Sequence, residues 1–146
     1  MTDFIAMIYE WFGYKTDLGE HLRGLDDTCT PIGTDLYFQI FIYMLSINTL
    51  LFILMYYVID KMTPNFSSKI SWWIIALIGS LINFSIAISL PKTAPVCETL
   101  HFGVSDYMLF GIANAFWSLI TFVILTSFPF PRYFSTNCRL TTFWKP

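Results

Sequence analysis

Charge is scarce in this sequence: Asp, Glu, Lys and Arg make up 12% of it, against 55% hydrophobic residues. A soluble domain carries about 25% charged residues, so much of this surface is suited to lipid rather than water. The scarcity is also uneven. Residues 36–59, 70–90 and 107–128 contain no charged residue and no proline. Cysteine is sparse too, with Cys29, Cys97 and Cys138 in no CxxC pair and the two histidines, His21 and His101, far apart. That pattern argues against a zinc site. There is no Ser-His-Asp or Cys-His arrangement, no glycine-rich phosphate loop and no HExxH. Neither an enzyme nor a bound cofactor is therefore expected.

What is present is three long apolar runs. Each exceeds the roughly 20 residues that a helix needs to cross a hydrocarbon core of about 30 Å. Charges or prolines bracket them: Asp35 and Asp60, Lys69 and Pro91, Asp106 and Pro129. Backbone in lipid must satisfy its own hydrogen bonds, so the runs are predicted to be helices. A soluble bundle would show a polar stripe of charges on each helix, and none is seen. Tyr37, Tyr56, Tyr57, Trp72, Trp73 and Tyr107 lie near the ends of the runs, where a membrane interface would hold them. Trp117 falls near the middle and is expected to meet a neighbouring helix or lipid tails.

The predicted fold is an all-α integral membrane protein with three transmembrane helices and an N-terminal amphipathic helix. Residues 1–35 form the amphipathic N-terminal segment, 36–128 the three-helix domain, and 129–146 a basic-aromatic tail. In the first segment Phe4, Ile5, Ile8, Trp11 and Phe12 share one helical face, with Asp3, Met7 and Glu10 on the other. This helix is too short to span. It should lie in the interface or pack on the bundle. Leu18, Leu22 and Leu25 suggest a second short helix, and residues 26–35 a loop. Met1 to Gly13 lacks the basic start of a signal peptide, and no lipidation signal is read.

Three spans place the N-terminal region and the loop 91–106 on one side. Lys61, Lys69, Arg132, Arg139 and Lys145 fall on the other side, against Lys15, Arg23 and Lys92 on the first. Excess Lys and Arg mark the cytoplasmic side. The expected orientation in the cell membrane is N-terminus outside and C-terminus cytoplasmic. Cys29 and Cys97 then share the outer face, where a disulfide between them could form. Cys138 falls inside.

Each span holds one asparagine: Asn48, Asn83 and Asn114. From the helical rise, the three lie within about 5 Å of one depth. A buried amide in hydrocarbon needs partners, so they should face other helices or water. Gly111, Asn114, Ser118 and Thr121 form a stripe on the third span; Ala76, Ser80, Asn83 and Ala87 form one on the second. A looser stripe on the first holds Gln39, Tyr43, Ser46 and Thr49. Close packing is the reading for the second stripe, and the third is the best candidate to line a pore.

No ionisable residue sits inside a span, so a proton-coupled transporter lacks its usual relay. Three helices enclose little by themselves, and a homo-oligomer is expected. The first functional reading is an ion channel or membrane-perturbing effector, with Asp35, Glu98 and Asp106 as an electronegative vestibule for cations. Small multipass chains of this format serve as membrane effectors in bacterial anti-phage defence, a likeness of format without a shared motif. The alternative is a non-conducting accessory or anchoring subunit of a larger membrane complex. In the tail, Arg132, Arg139, Trp144 and Lys145 interleave bases with aromatics. They could meet anionic headgroups, a cytoplasmic partner, or a nucleotide or nucleic-acid trigger.

Overall fold

A computed structural model of the protein describes residues 2–24, 35–59 and 69–127. Every regular element in them is a helix. In chain order these are α1 (Thr2–Glu10), α2 (Thr16–Leu22), α3 (Leu36–Ile53), α4 (Lys69–Thr93) and α5 (Val104–Thr126). α3 continues without a break into a wider π-helical stretch, Leu54–Ile59. Three helical stretches are long and apolar enough to cross a membrane: Leu36–Ile59, Ile70–Thr93 and Val104–Thr126. The protein is thus a multipass membrane protein with short N-terminal helices.

The span ends differ from the charge-free runs because end chemistry, not hydropathy, sets them. α5 starts three residues before Tyr107. The Asp106 carboxylate accepts the Gly103 N–H at 2.9 Å, which satisfies a donor at the helix start. α4 continues through Pro91 to Thr93. The proline sits in the last turn, where the lost backbone bond costs least. At the start of α3, the Asp35 carboxylate accepts the Phe38 N–H at 3.2 Å.

The core is layered along the bundle axis. Near the Leu36, Thr93 and Val104 ends lies one apolar cluster. It joins Tyr37, Ile40, Ala87, Phe110 and Ala113 to Ile5, Ala6 and Tyr9 of α1 and Leu18 and Leu22 of α2. At the opposite ends, Phe52, Met55, Tyr56, Trp72, Ala76 and Phe122 form a second. Small residues bring the helices together. A Cβ on Gly111 would stand 2.9 Å from both Ile88 and Phe84, and one on Gly79 would stand 2.6 Å from Leu51. Without a hydrophobic drive between helices in lipid, such close approach supplies the packing.

Two expectations need correction. Of the six aromatics assigned to the interface, Tyr37, Tyr56, Trp72 and Tyr107 are buried in the core, while Tyr57 and Trp73 remain exposed. Their rings stack between helices, as in Trp72 against Phe122 at 5.4 Å. α1 also buries a different face from the one its hydropathy suggests. Ile5, Ala6 and Tyr9 face the bundle, whereas Phe4 and Trp11 are 62% and 79% exposed. The buried stripe is centred on Tyr9 because its hydroxyl finds a partner inside.

Candidate functional site

Between the two apolar clusters lies a layer of buried polar side chains. Helical rise places Asn114 about 15 Å below the start of α5, Asn83 about 15 Å below the end of α4, and Asn48 about 18 Å below the start of α3. All three are buried, as is Ser118. Ser118 is the hub. Its hydroxyl accepts from Asn83 Nδ2 at 2.9 Å and from Asn48 Nδ2 at 3.2 Å, and donates to Asn48 Oδ1 at 3.3 Å. One proton and two lone pairs permit no more. Asn83 Nδ2 also donates to its own helix at Gly79 O, 3.0 Å away. Asn114 Nδ2 donates to the Asn83 backbone carbonyl at 2.8 Å, and Ser80 Oγ to the Ala115 carbonyl at 3.1 Å. The layer therefore ties α3, α4 and α5 to one another at a single depth.

α1 completes the layer from the side. Tyr9 donates its phenolic hydrogen to Asn114 Oδ1 at 2.7 Å. Its ring packs on Phe110 at 5.3 Å and Tyr37 at 6.0 Å. Phe12 meets Phe116 edge-on at 5.5 Å. Gly13, at φ 76°, turns the chain from α1 toward α2. Tyr14 then pairs its hydroxyl with that of Tyr37 at 2.6 Å. Burial, and next the neighbouring Tyr37, push the Tyr14 phenol far above its ordinary range, so it stays neutral. Arg23 closes the segment with an exposed ion pair to Glu10 at 3.1 Å. In α2, the buried His21 donates from Nε2 to the Pro91 carbonyl at 3.0 Å, which anchors α2 on the end of α4.

The chain matches no protein-family model, and no curated protein or solved structure resembles it significantly.

The candidate residues distribute as follows. Asn48, Asn83, Asn114 and Ser118 converge at contacts within one chain. Thr121 stands apart from their hydrogen bonds and lines an apolar cavity beside α1. The third stripe is therefore turned inward, and it is the looser first stripe that faces out: Tyr43, Ser46 and Thr49 are exposed and Gln39 is half-buried. Among the described residues, the Ser46 and Thr49 hydroxyls make no hydrogen bond. On α4, by contrast, Ser85, Ser89 and Thr93 each donate to a carbonyl of their own helix.

Asp35 and Asp106 cap helices, as described, and Glu98 is exposed in the loop between α4 and α5. Cys97 is buried and disulfide-bonded. Cys29, its expected partner, lies outside the described residues, as do Cys138 and the tail positions Arg132, Arg139, Trp144 and Lys145. Sequence reasoning missed Tyr9. Its one available signal was a hydroxyl on the apolar flank of an amphipathic helix, near three spans that each carry an unpaired amide.

Proposed function

We propose that the protein acts as a homo-oligomer in the membrane, as an ion channel or membrane-perturbing effector whose copies meet along α3. The polar stripe Gln39–Tyr43–Ser46–Thr49 carries this reading. It lies on the outside of a membrane span, flanked by the exposed Ile42, Leu50 and Ile53. Hydroxyls in hydrocarbon that leave their own helix unbonded call for partners elsewhere. A second copy supplies them at a subunit seam, and water supplies them around a central axis. The buried asparagine layer has a different part: it holds the protomer together so that α3 can be presented outward. The acids at the α1 end would raise cation concentration at the mouth, and the tail would receive the trigger or cytoplasmic partner. Anti-phage defence is one setting in which such an effector would serve.

The test is disulfide cross-linking in vesicles, starting from a background in which Cys138 is serine. Ser46→Cys and Thr49→Cys should give dimers and higher ladders on mild oxidation. Leu81→Cys, on the exposed apolar face of α4, should give far less. A monomer by native mass spectrometry with no α3 cross-link would overturn the proposal. A stable complex holding one peripheral copy of this chain would replace it with the accessory-subunit reading.

A further inference from the structure

Three cavities run into one another along α1, and their walls change character in order. At the Glu10 end is a polar crevice of about 230 Å³, walled by Tyr14, Lys15, Thr16, Glu20 and Arg23 beside Glu10. Glu10 also borders the next cavity, of about 470 Å³, whose other walls are Met7, Ile8, Trp11 and Trp117. Ile8 and Trp117 in turn border the third, of about 220 Å³, which Phe4, Phe41, Met44 and Thr121 complete. Shared walls make this one groove: charged at its mouth, indole-lined in its middle and apolar at its deep end. The deep end lies beside Thr121, and residue 121 against 104 is a rise of about 25 Å along a membrane span.

That sequence of environments matches a bilayer lipid, with its headgroup at the interface, its ester region at an indole belt and its acyl chain in hydrocarbon. The mouth decides which lipid. Its four charged side chains are two bases, Lys15 and Arg23, and two acids, Glu10 and Glu20. An anionic headgroup would meet both acids unpaired. A zwitterion can set its phosphate toward Lys15 and Arg23 and its ammonium toward Glu20 and Glu10. We propose that this groove binds one amine-bearing zwitterionic phospholipid, with its headgroup in the α1–α2 crevice and an acyl chain between α1, α3 and α5.

The test is native mass spectrometry of the full-length protein released from nanodiscs of mixed phosphatidylethanolamine and phosphatidylglycerol. One phosphatidylethanolamine per chain should be retained in preference to phosphatidylglycerol. Lys15→Gln and Arg23→Gln should each weaken retention about fivefold, the effect of one base near a phosphate at a membrane surface. Ile8→Trp enlarges a half-buried side chain toward the void rather than the core, and should abolish retention. Circular dichroism and thermal melting of that variant should confirm that the bundle stays folded. Absence of retained lipid from the wild type would overturn the proposal. Retention insensitive to headgroup, or of free fatty acid alone, would do so too, as would lipid that survives Ile8→Trp in a folded protein.

Discussion

The phenol of Tyr9 donates to the side-chain oxygen of Asn114 across 2.7 Å, joining a helix that does not span the membrane to one that does. Both residues are buried, so neither has water to fall back on. The bond also completes Asn114, whose amide nitrogen is engaged by the Asn83 carbonyl. Docking of α1 and integrity of the asparagine layer are thus one property.

Tyr9→Phe should test that link with little change of shape. It leaves Asn114 Oδ1 buried without a donor, a loss of about 1–2 kcal/mol. Asn114→Leu should cost a similar amount, because it also frees the Asn83 carbonyl. If the link is direct, the double variant Tyr9→Phe with Asn114→Leu should destabilise less than the sum. The coupling should be about 0.5–2 kcal/mol by unfolding in detergent. Strict additivity would show that α1 docks through its apolar face alone.

The two packing glycines should differ in sensitivity. At Gly79 a new methyl meets one terminal methyl of Leu51, which is only half-buried and free to turn. At Gly111 it meets atoms of both Ile88 and Phe84. Gly111→Ala should therefore lower the melting temperature clearly more than Gly79→Ala, with overpacking costing about 1–3 kcal/mol. Adding Ile88→Ala to Gly111→Ala should restore part of the loss. Equal melting temperatures for the two alanine variants would refute the ranking.

The spans were legible because lipid enforces a simple code: charge-free runs of sufficient length must be helices. The shared depth of Asn48, Asn83 and Asn114 was legible for the same reason, since rise per residue converts position into depth. Facing was not. Hydropathy saw Phe4 and Trp11 as the buried face of α1, because it ranks ring size and ignores where a hydroxyl can find a partner. It also read Tyr37, Tyr56, Trp72 and Tyr107 as interface anchors, although an aromatic ring near a helix end fits a helix–helix contact equally well. The same blindness applies to the stripes. Small polar residues recur at helical spacing whether they face a neighbour or the outside, and only the packed bundle separates Ser118 from Ser46.

Alkali should loosen the α1–α2 region before the bundle. Tyr14 sits outside the spans, and burial raises its folded pKa above the unfolded value. The stability linked to it is fully present below the unfolded value of about 10. It declines as pH rises above that, since the unfolded chain then releases a proton that the folded one keeps. Hydrogen exchange of residues 2–24 should accelerate above about pH 10, and Tyr14→Phe should flatten that part of the dependence. A pH response unchanged by Tyr14→Phe would assign it to another group.

Cys97 offers a check on orientation. Mass spectrometry without reductant should find a peptide joining Cys97 to Cys29, leaving Cys138 free. Glu98 is exposed beside it, so in a background with its native cysteines replaced by serine, Glu98→Cys should react with a membrane-impermeant maleimide from outside intact cells. A cysteine at position 138 should react only after permeabilisation. The opposite pattern would reverse the topology inferred from Lys and Arg.

Ion selectivity provides the most demanding test of the channel reading. Asp35 and Asp106 use their carboxylates as helix caps, so charge and structure must be separated. Asn substitution does so, because its amide oxygen still accepts the capping bond while the charge is lost. The favourable field of the helix N-terminus already offsets part of the Asp106 charge, and that residue is buried. Glu98 is exposed and carries no such offset. Reconstituted protein, opened by whatever acts on the tail, should pass cations in preference to anions. Glu98→Gln should reduce that preference more than Asp106→Asn, and the triple variant with Asp35→Asn should reduce it most. The reduction should be larger at 0.01 M salt than at 0.1 M, where screening falls from about 30 Å to about 10 Å. Reversal potentials across a salt gradient measure this directly. Anion preference, or cation preference indifferent to all three acids, would remove the vestibule from the mechanism. The α3 stripe would then be the sole element left to select the ion.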